Sequence, residues 1–321
     1  MDRVTRSQAS VPPLQAPIRP PGGDTLRWVE QCLGPGAEVK MVRPLAGGTW
    51  HVNHALLVES RSGSVHRLVL RRWADRDRAA TEPEFSPERE IAALALLAGC
   101  PIPTPELVAA DPAGAYCDAP ALLITRLIGH PPGPGADELS EYLIQLAAAL
   151  LAVHSLSGAA TMPPYVPYNR LNVRLPPKHA VRAGLWEQAF ELAARPAPEA
   201  APRFIHRDYQ PGNTLWSYGR LTGVVDWSAA SYGPIAVDIA QMRWSLALRY
   251  GPAVADRFLD AFDRVSGGYV HDPYWDLRSV VDLLPEQDGR ILDRSLVAPL
   301  EDYLTGPLAR LGAATGRVRE P

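Results

Sequence analysis

Apolar residues recur at a period near two from Val39 to Leu70 and at helical spacing from Leu139 onward, and this change of period limits the chain to a strand-rich first part and a helical second part. Val39, Met41 and Val42 lead into a turn at Gly47 and Gly48. His54 to Val58 and Val65 to Leu70 follow, which predicts three antiparallel strands. Leu107–Ala110 and Ala121–Thr125 add two more around the turn-rich stretch 111–120. Between them Pro87 opens a helix with Glu88 and Glu90 near the positive end of its dipole, and Gly99 closes it. A further short helix is expected over Thr25–Leu33. The expected fold is α+β and bilobal. Its small N-terminal lobe, residues 24–128, has a five-stranded antiparallel sheet and one helix; its larger C-terminal lobe, residues 129–321, is mainly helical from Leu139–His154 onward. Residues 1–23, rich in Pro and Gly, are expected to form a loose, disordered tail.

Charge and composition exclude several functions. Lys plus Arg number 32 against 35 Asp plus Glu, so the chain lacks the basic excess with which proteins neutralise nucleic-acid phosphates. The apolar run Leu143–Val153 is too short for a membrane span and contains Gln145. Cys32, Cys100 and Cys117 are odd in number and far apart, which fits neither a disulfide framework nor a zinc site. No nucleic-acid or membrane partner is expected, and the cytoplasm is the expected location.

The chemistry is concentrated in Phe204–Trp227, FIHRDYQPGNTLWSYGRLTGVVDW. Asp208 and Asn213 stand five apart in an H-R-D-x-x-x-x-N run, and Asp226 ends an apolar strand. This is the spacing of a protein-kinase catalytic loop, with an Asp as base and an Asn and a later Asp on Mg²⁺. The acceptor hydroxyl needs a carboxylate beside it, and a hard cation needs oxygen donors. A tight turn at Pro211 and Gly212 brings the three residues to one end of a hairpin. His206 is expected to be a structural histidine and Arg207 to position the loop.

Together with YGP and VDIA downstream, these residues resemble the aminoglycoside phosphotransferase family of small-molecule kinases, relatives of choline kinases. The resemblance spans roughly Val39–Leu304 and implies a protein-kinase-like fold, ATP or GTP with Mg²⁺ as cofactors, and a small-molecule hydroxyl acceptor. It implies that Asp208 is the catalytic base, that Asn213 and Asp226 bind magnesium, and that Asp238 braces the catalytic loop. Many members carry His where this chain has Gln210. Only 11 residues separate Asp226 from Asp238, too few for a peptide-docking activation segment, and Trp227 and Ser228 stand where protein kinases have Phe and Gly.

The resemblance extends upstream. Gly47, Gly48 and Thr49 lie where backbone N–H groups approach nucleotide phosphates. The third strand ends in two arginines, and the resemblance places Arg71 as the phosphate-binding cation, with Arg72 as the alternative and Glu90 as its ion-pair partner. Thr125 and Leu127 correspond to the interlobe segment whose backbone meets the nucleotide base. For the acceptor, Asp272, Trp275 and Asp276 form an acidic, aromatic stretch suited to a cationic or sugar-bearing molecule, with Asp282, Glu286 and Asp288 further along. Tyr165, Tyr168 and Asn169 in a Pro-rich insertion are a second candidate, as a lid.

The expected function is an ATP-dependent kinase acting on a hydroxyl of an antibiotic or related natural product, as in resistance or self-resistance. A housekeeping kinase of choline, homoserine or a sugar is the alternative, and a nucleotide-binding pseudokinase a third. The sequence leaves the acceptor, the choice of nucleotide and the oligomeric state open.

Overall fold

The computed structural model describes residues 19–45, 51–74, 86–284 and 292–317. The chain divides into two compact units, one formed by the chain up to Ala95 with Pro105–Arg126, the other by Leu96–Thr104 with the chain from Leu127 on.

In the first unit α1 (Gly23–Cys32) precedes β1 (Glu38–Pro44), β2 (Val52–Glu59) and β3 (Val65–Arg72), and α2 (Pro87–Leu97) precedes β4 (Leu107–Asp111) and β5 (Ala121–Thr125). The strands form one antiparallel sheet in the order β1-β2-β3-β5-β4. Leu56, Val58, Leu68, Leu70 and Leu123 share one face and bury it against Trp28 and Val29 of α1. The period of two then sends successive residues of β3 to opposite faces. Arg72 lies on the same face as Leu68 and Leu70, bonded to the Asp118 carboxylate at 2.5 Å and to the Arg19 carbonyl. Arg71 points to the other face. Gly47, Gly48 and Thr49 lie outside the described residues.

The second unit runs α3 (Leu139–His154), α4 (Ala183–Ala193), β6 (Pro202–Ile205), β7 (Thr214–Ser217), β8 (Arg220–Val224), β9 (Ser231–Pro234), α5 (Ala236–Tyr250), α6 (Pro252–Ser266), α7 (Pro273–Val281) and α8 (Arg294–Arg317). Its core joins Trp186 and Phe190 of α4 to Trp244 of α5, Leu277, Val280 and Val281 of α7 and Leu300, Tyr303 and Leu304 of α8. The four short strands make two antiparallel pairs, β6 with β9 and β7 with β8. Tyr218 (φ 49°) and Gly219 (φ 71°) turn the β7–β8 hairpin. A two-residue turn with both φ values positive matches the right-handed twist of its strands, and glycine adopts it without a Cβ clash. No helix among the described residues is long and apolar enough to cross a membrane.

Candidate active site

The sequence predicts a strand over Phe204–Asp208, but β6 stops at Ile205. The reason is Asp238, in the first turn of α5. Its buried carboxylate accepts the backbone N–H groups of His206 (2.9 Å) and Arg207 (2.6 Å), so neither amide is left for a sheet partner. Arg207 takes φ 68°, a left-handed conformation that costs a residue with a Cβ roughly 1–2 kcal/mol, and the two charge-assisted bonds hold it there. His154 of α3 also bonds the Asp238 carboxylate at 2.9 Å. Tyr209 donates to the Leu146 carbonyl at 2.8 Å, tying the far side of the loop to α3.

This bracing presents the Asp208 side chain, half-buried, to three amide groups. Asn213 Nδ2 donates to Oδ2 at 2.8 Å, and Gln210 and Gln241 donate to Oδ1 at 2.9 and 3.2 Å. Burial and the nearby Asp226 charge raise the Asp208 carboxyl to about 7, against the opposing pull of the Asn213 and Gln210 hydrogen bonds. Burial drives His206 toward its neutral form. Its Nδ1 accepts the Asp208 backbone N–H at 3.2 Å, which leaves Nε2 to donate to the Val225 carbonyl at 3.0 Å. His206 therefore links the Asp208 loop to the residue before Asp226.

A 3-10 turn over Pro211–Asn213 leads into β7, and the Val225 N–H donates to the Asn213 carbonyl at 2.9 Å, so Asn213 and Asp226 are neighbours across the hairpin base. Asp226 has φ 67° and accepts from Ser228 Oγ at 2.9 Å. Asn213 spends its amide nitrogen on the Asp208 carbonyl and carboxylate. Its amide oxygen accepts no hydrogen bond among the described residues. One carboxylate and one amide oxygen beside a second carboxylate make a hard, oxygen-only donor set. That set fits Mg²⁺, which takes few protein ligands and completes its shell with water and phosphate oxygens.

In the first unit Arg71 and Glu90 meet. Arg71 Nη1 donates to both Glu90 carboxylate oxygens at 2.8 and 2.9 Å, and Asn53 Oδ1 accepts from Arg71 Nε at 3.2 Å. Both side chains are buried. Thr125 ends β5, where its hydroxyl accepts the Glu106 N–H at 2.8 Å. Leu127 opens the second unit and packs on Gly223, where a Cβ would lie 2.4 Å from Leu127 Cδ1.

The acidic, aromatic wall expected for the acceptor is not a wall. Asp276 is 0% exposed, and its Oδ1 accepts from Arg243 Nε and His271 Nε2, each at 3.0 Å. Trp275, 5% exposed, packs with Ile205, Val237 and Ala240 beneath the catalytic loop. Asp272 caps α7 by accepting the Tyr274 N–H at 2.8 Å. The α7 helix turns these residues inward because its sequence, PYWDLRSVV, is apolar around its whole circumference apart from charges that pair internally. Asp282 accepts from Tyr165 Oη and the Asn169 N–H, each at 3.3 Å, and thereby anchors the Pro-rich insertion. Tyr168, 38% exposed, lies under the Arg207 guanidinium at 3.8 Å. Glu286 and Asp288 lie outside the described residues.

The family model for the phosphotransferase enzyme family matches residues 42–275, most of both units and every residue of the catalytic loop. The chain belongs to this family. Among curated proteins, the N-acetylmuramate/N-acetylglucosamine kinase of Pseudomonas aeruginosa is 28% identical to this phosphotransferase over 236 residues, 66% of the chain and 64% of that protein. The match thus spans just under two thirds of the relative's length. Among solved structures, a thermostable mutant of aminoglycoside phosphotransferase APH(4)-Ia with AMP-PNP and hygromycin B aligns with TM-score 0.58 and 14% identity over 90% of this chain and 98% of that one. A macrolide 2'-phosphotransferase from Brachybacterium faecium aligns with TM-score 0.53 and 17% identity, over 90% and 93% of the two chains. The kinase-like fold implied by the resemblance is the fold of this phosphotransferase.

One residue at the site escaped the sequence reading. Gln241 of α5 touches Asp208, and the available signal was its place three residues after Asp238, which puts it on the same helical face as the brace.

Proposed function

We propose that this phosphotransferase is a magnesium-dependent kinase that uses ATP or GTP to phosphorylate a hydroxyl of a small molecule. The observation that carries the reading is the Asp208 carboxylate, fixed by three amide donors beside Asn213 and Asp226. Asp208, with its carboxyl at about 7, is poised to take the acceptor's proton at working pH. Asn213 and Asp226 would hold Mg²⁺, which supplies charge neutralisation at the transferring phosphoryl group. The loop and its Asp238 brace orient the base, and Arg71, held by Glu90, steadies the nucleotide phosphates. Arg71, Glu90, Thr125 and Leu127, with Gly47, Gly48 and Thr49, are the proposed nucleotide residues. Such a kinase would work in the cytoplasm, where nucleoside triphosphates are supplied.

The acceptor we favour is a hydroxyl-bearing sugar without a basic amine. Asp276, which would have recognised a polycation, is internally paired, and the curated relative acts on amino-sugar derivatives carrying no basic amine. An antibiotic acceptor is the second reading, supported by the solved relatives. An ADP-release screen over N-acetylglucosamine, N-acetylmuramate, glucose, choline, homoserine, aminoglycosides and macrolides tests both. Turnover is expected for one of the sugars; turnover confined to antibiotics would replace the sugar reading, and none on any acceptor would remove the kinase reading.

The two arginines of β3 separate by their partners. Arg71→Ala should raise the nucleotide KM and lower kcat together, because the buried guanidinium that Glu90 holds in place is lost. Arg72→Ala should lower the melting temperature through its lost bonds to Asp118 and Arg19 and leave nucleotide kinetics within about twofold of wild type, as expected for a partner that is itself partly exposed. A nucleotide defect confined to Arg72→Ala would move the clamp to the other face of the sheet.

A further inference from the structure

The hydrogen bonds of Gln241 assign a task to each end of its amide. Its Oε1 faces Trp244 Nε1 at 3.2 Å and Ser279 Oγ at 3.4 Å, and Trp244 Nε1 also donates to Ser279 Oγ at 3.0 Å. An indole N–H can only donate, so the oxygen of Gln241 must face it, and Nε2 must face Asp208 Oδ1, 3.2 Å away. The orientation of the amide is thereby set by its neighbours. Gln210 Nε2 donates to the same Oδ1 at 2.9 Å. A carboxylate oxygen offers about two lone-pair positions, so Oδ1 is saturated. Among the described residues Oδ2 receives one bond, from Asn213 Nδ2 at 2.8 Å, and keeps one position open.

We propose that Gln241 is a positioning residue which, with Gln210, occupies Oδ1 of Asp208 and so leaves Oδ2 as the oxygen that takes the acceptor's proton. In the transfer step the acceptor O–H bond breaks as its oxygen bonds to the γ-phosphorus, the proton passes to Oδ2, and the bond to the departing nucleoside diphosphate breaks. Helix α5 then serves the site twice from one face, with Asp238 setting the loop backbone and Gln241, one turn on, setting the base side chain. Gln241 is half-buried and its oxygen is already engaged on the core side, so only its donor end faces the site. This inference rests on the kinase reading above.

The test compares Gln241→Ala, Gln241→Glu and Trp244→Phe, with Asp208→Asn in parallel, for ADP release from ATP with N-acetylglucosamine and for melting temperature. Gln241→Ala should lower kcat roughly tenfold, with the ATP KM within about twofold of wild type. Gln241→Glu should be the more damaging, by roughly another tenfold, because it sets a carboxylate against the base where a donor is required. Trp244→Phe should fall between wild type and Gln241→Ala, since it frees the amide to rotate. A side chain that merely fills space would rank the near-isosteric Glu above Ala. That ranking, or a Gln241→Ala enzyme with wild-type kcat while Asp208→Asn is dead, would overturn the inference and leave the kinase reading intact. An active Asp208→Asn enzyme would instead remove the kinase reading and this inference with it.

Discussion

Asp208→Asn is expected to lower phosphoryl transfer by ~10² to 10⁴-fold, the usual worth of a general base, while nucleotide binding measured by titration stays close to wild type. The amide cannot accept a proton from the acceptor, but Asn213 and Asp226 remain in place for the metal. The same substitution should change stability in a direction set by pH. Burial and the Asp226 charge hold the folded-state carboxyl at about 7, against about 3.9 for an unfolded aspartate, so the ionised form is disfavoured in the folded protein. That penalty is absent below about pH 4, grows as pH rises through the interval, and is complete above about pH 7. In metal-free buffer at pH 8 the Asn variant should therefore melt higher than wild type, and the difference should vanish near pH 4. The gain is partly offset because one of the three amide donors then faces an NH₂ group. Near wild-type turnover would show that Asp208 is not the base, and a stability gain that grows on acidification would show that its ionised form is not disfavoured by the fold.

The second large effect concerns stability. Asp276→Ala should destabilise the protein by about 3 kcal/mol, the low end for a broken buried pair, because the buried Arg243 guanidinium loses its buried carboxylate and keeps only the half-exposed Asp256 and the Ala255 carbonyl. Burial by itself would push the Asp276 carboxyl up, yet His271 and Arg243 outweigh it and hold the group below the usual carboxylate range. Asp276 is therefore ionised in the folded protein, and the stability that it contributes is present above about pH 4 and lost as pH falls below that value. Asp272→Ala is the comparison: it removes one helix cap, worth about 1 kcal/mol. Urea unfolding of the two variants checks both values. If Asp276→Ala kept wild-type stability and instead raised the acceptor KM, Asp276 would belong to the acceptor site after all.

These two residues show what sequence reasoning reached and what it missed. That Asp208, Asn213 and Asp226 come together was legible because their spacing is set by one tight turn and one hairpin, both local. Asp276 was misjudged because a charge on a helix has the same sequence appearance whether it faces solvent or a buried arginine. The deciding partner, Arg243, lies 33 residues away on α5. The ends of the short strands were overrun for a related reason. Phe204–Asp208 and Leu221–Asp226 have strand-like composition throughout, but Asp238 captures two backbone amides of the first, and the Asn213 carbonyl captures the Val225 N–H of the second. Strand β9, Ser231–Pro234, has no apolar alternation and forms only because β6 offers it an edge.

By itself the sequence determined the bilobal α+β class, the five strands of the first sheet and the family, since period, turn residues and motif spacing are properties of neighbours along the chain. The pairing of Arg71 with Glu90 and of Arg72 with Asp118, the inward turn of Asp276 and the Gln241 contact to Asp208 were decided only by the tertiary structure. Each depends on which face of a strand or helix meets a partner far away in sequence. A register shift of one residue in β3, or a modest rotation of α5 or α7, would reverse the outcome without changing any local preference.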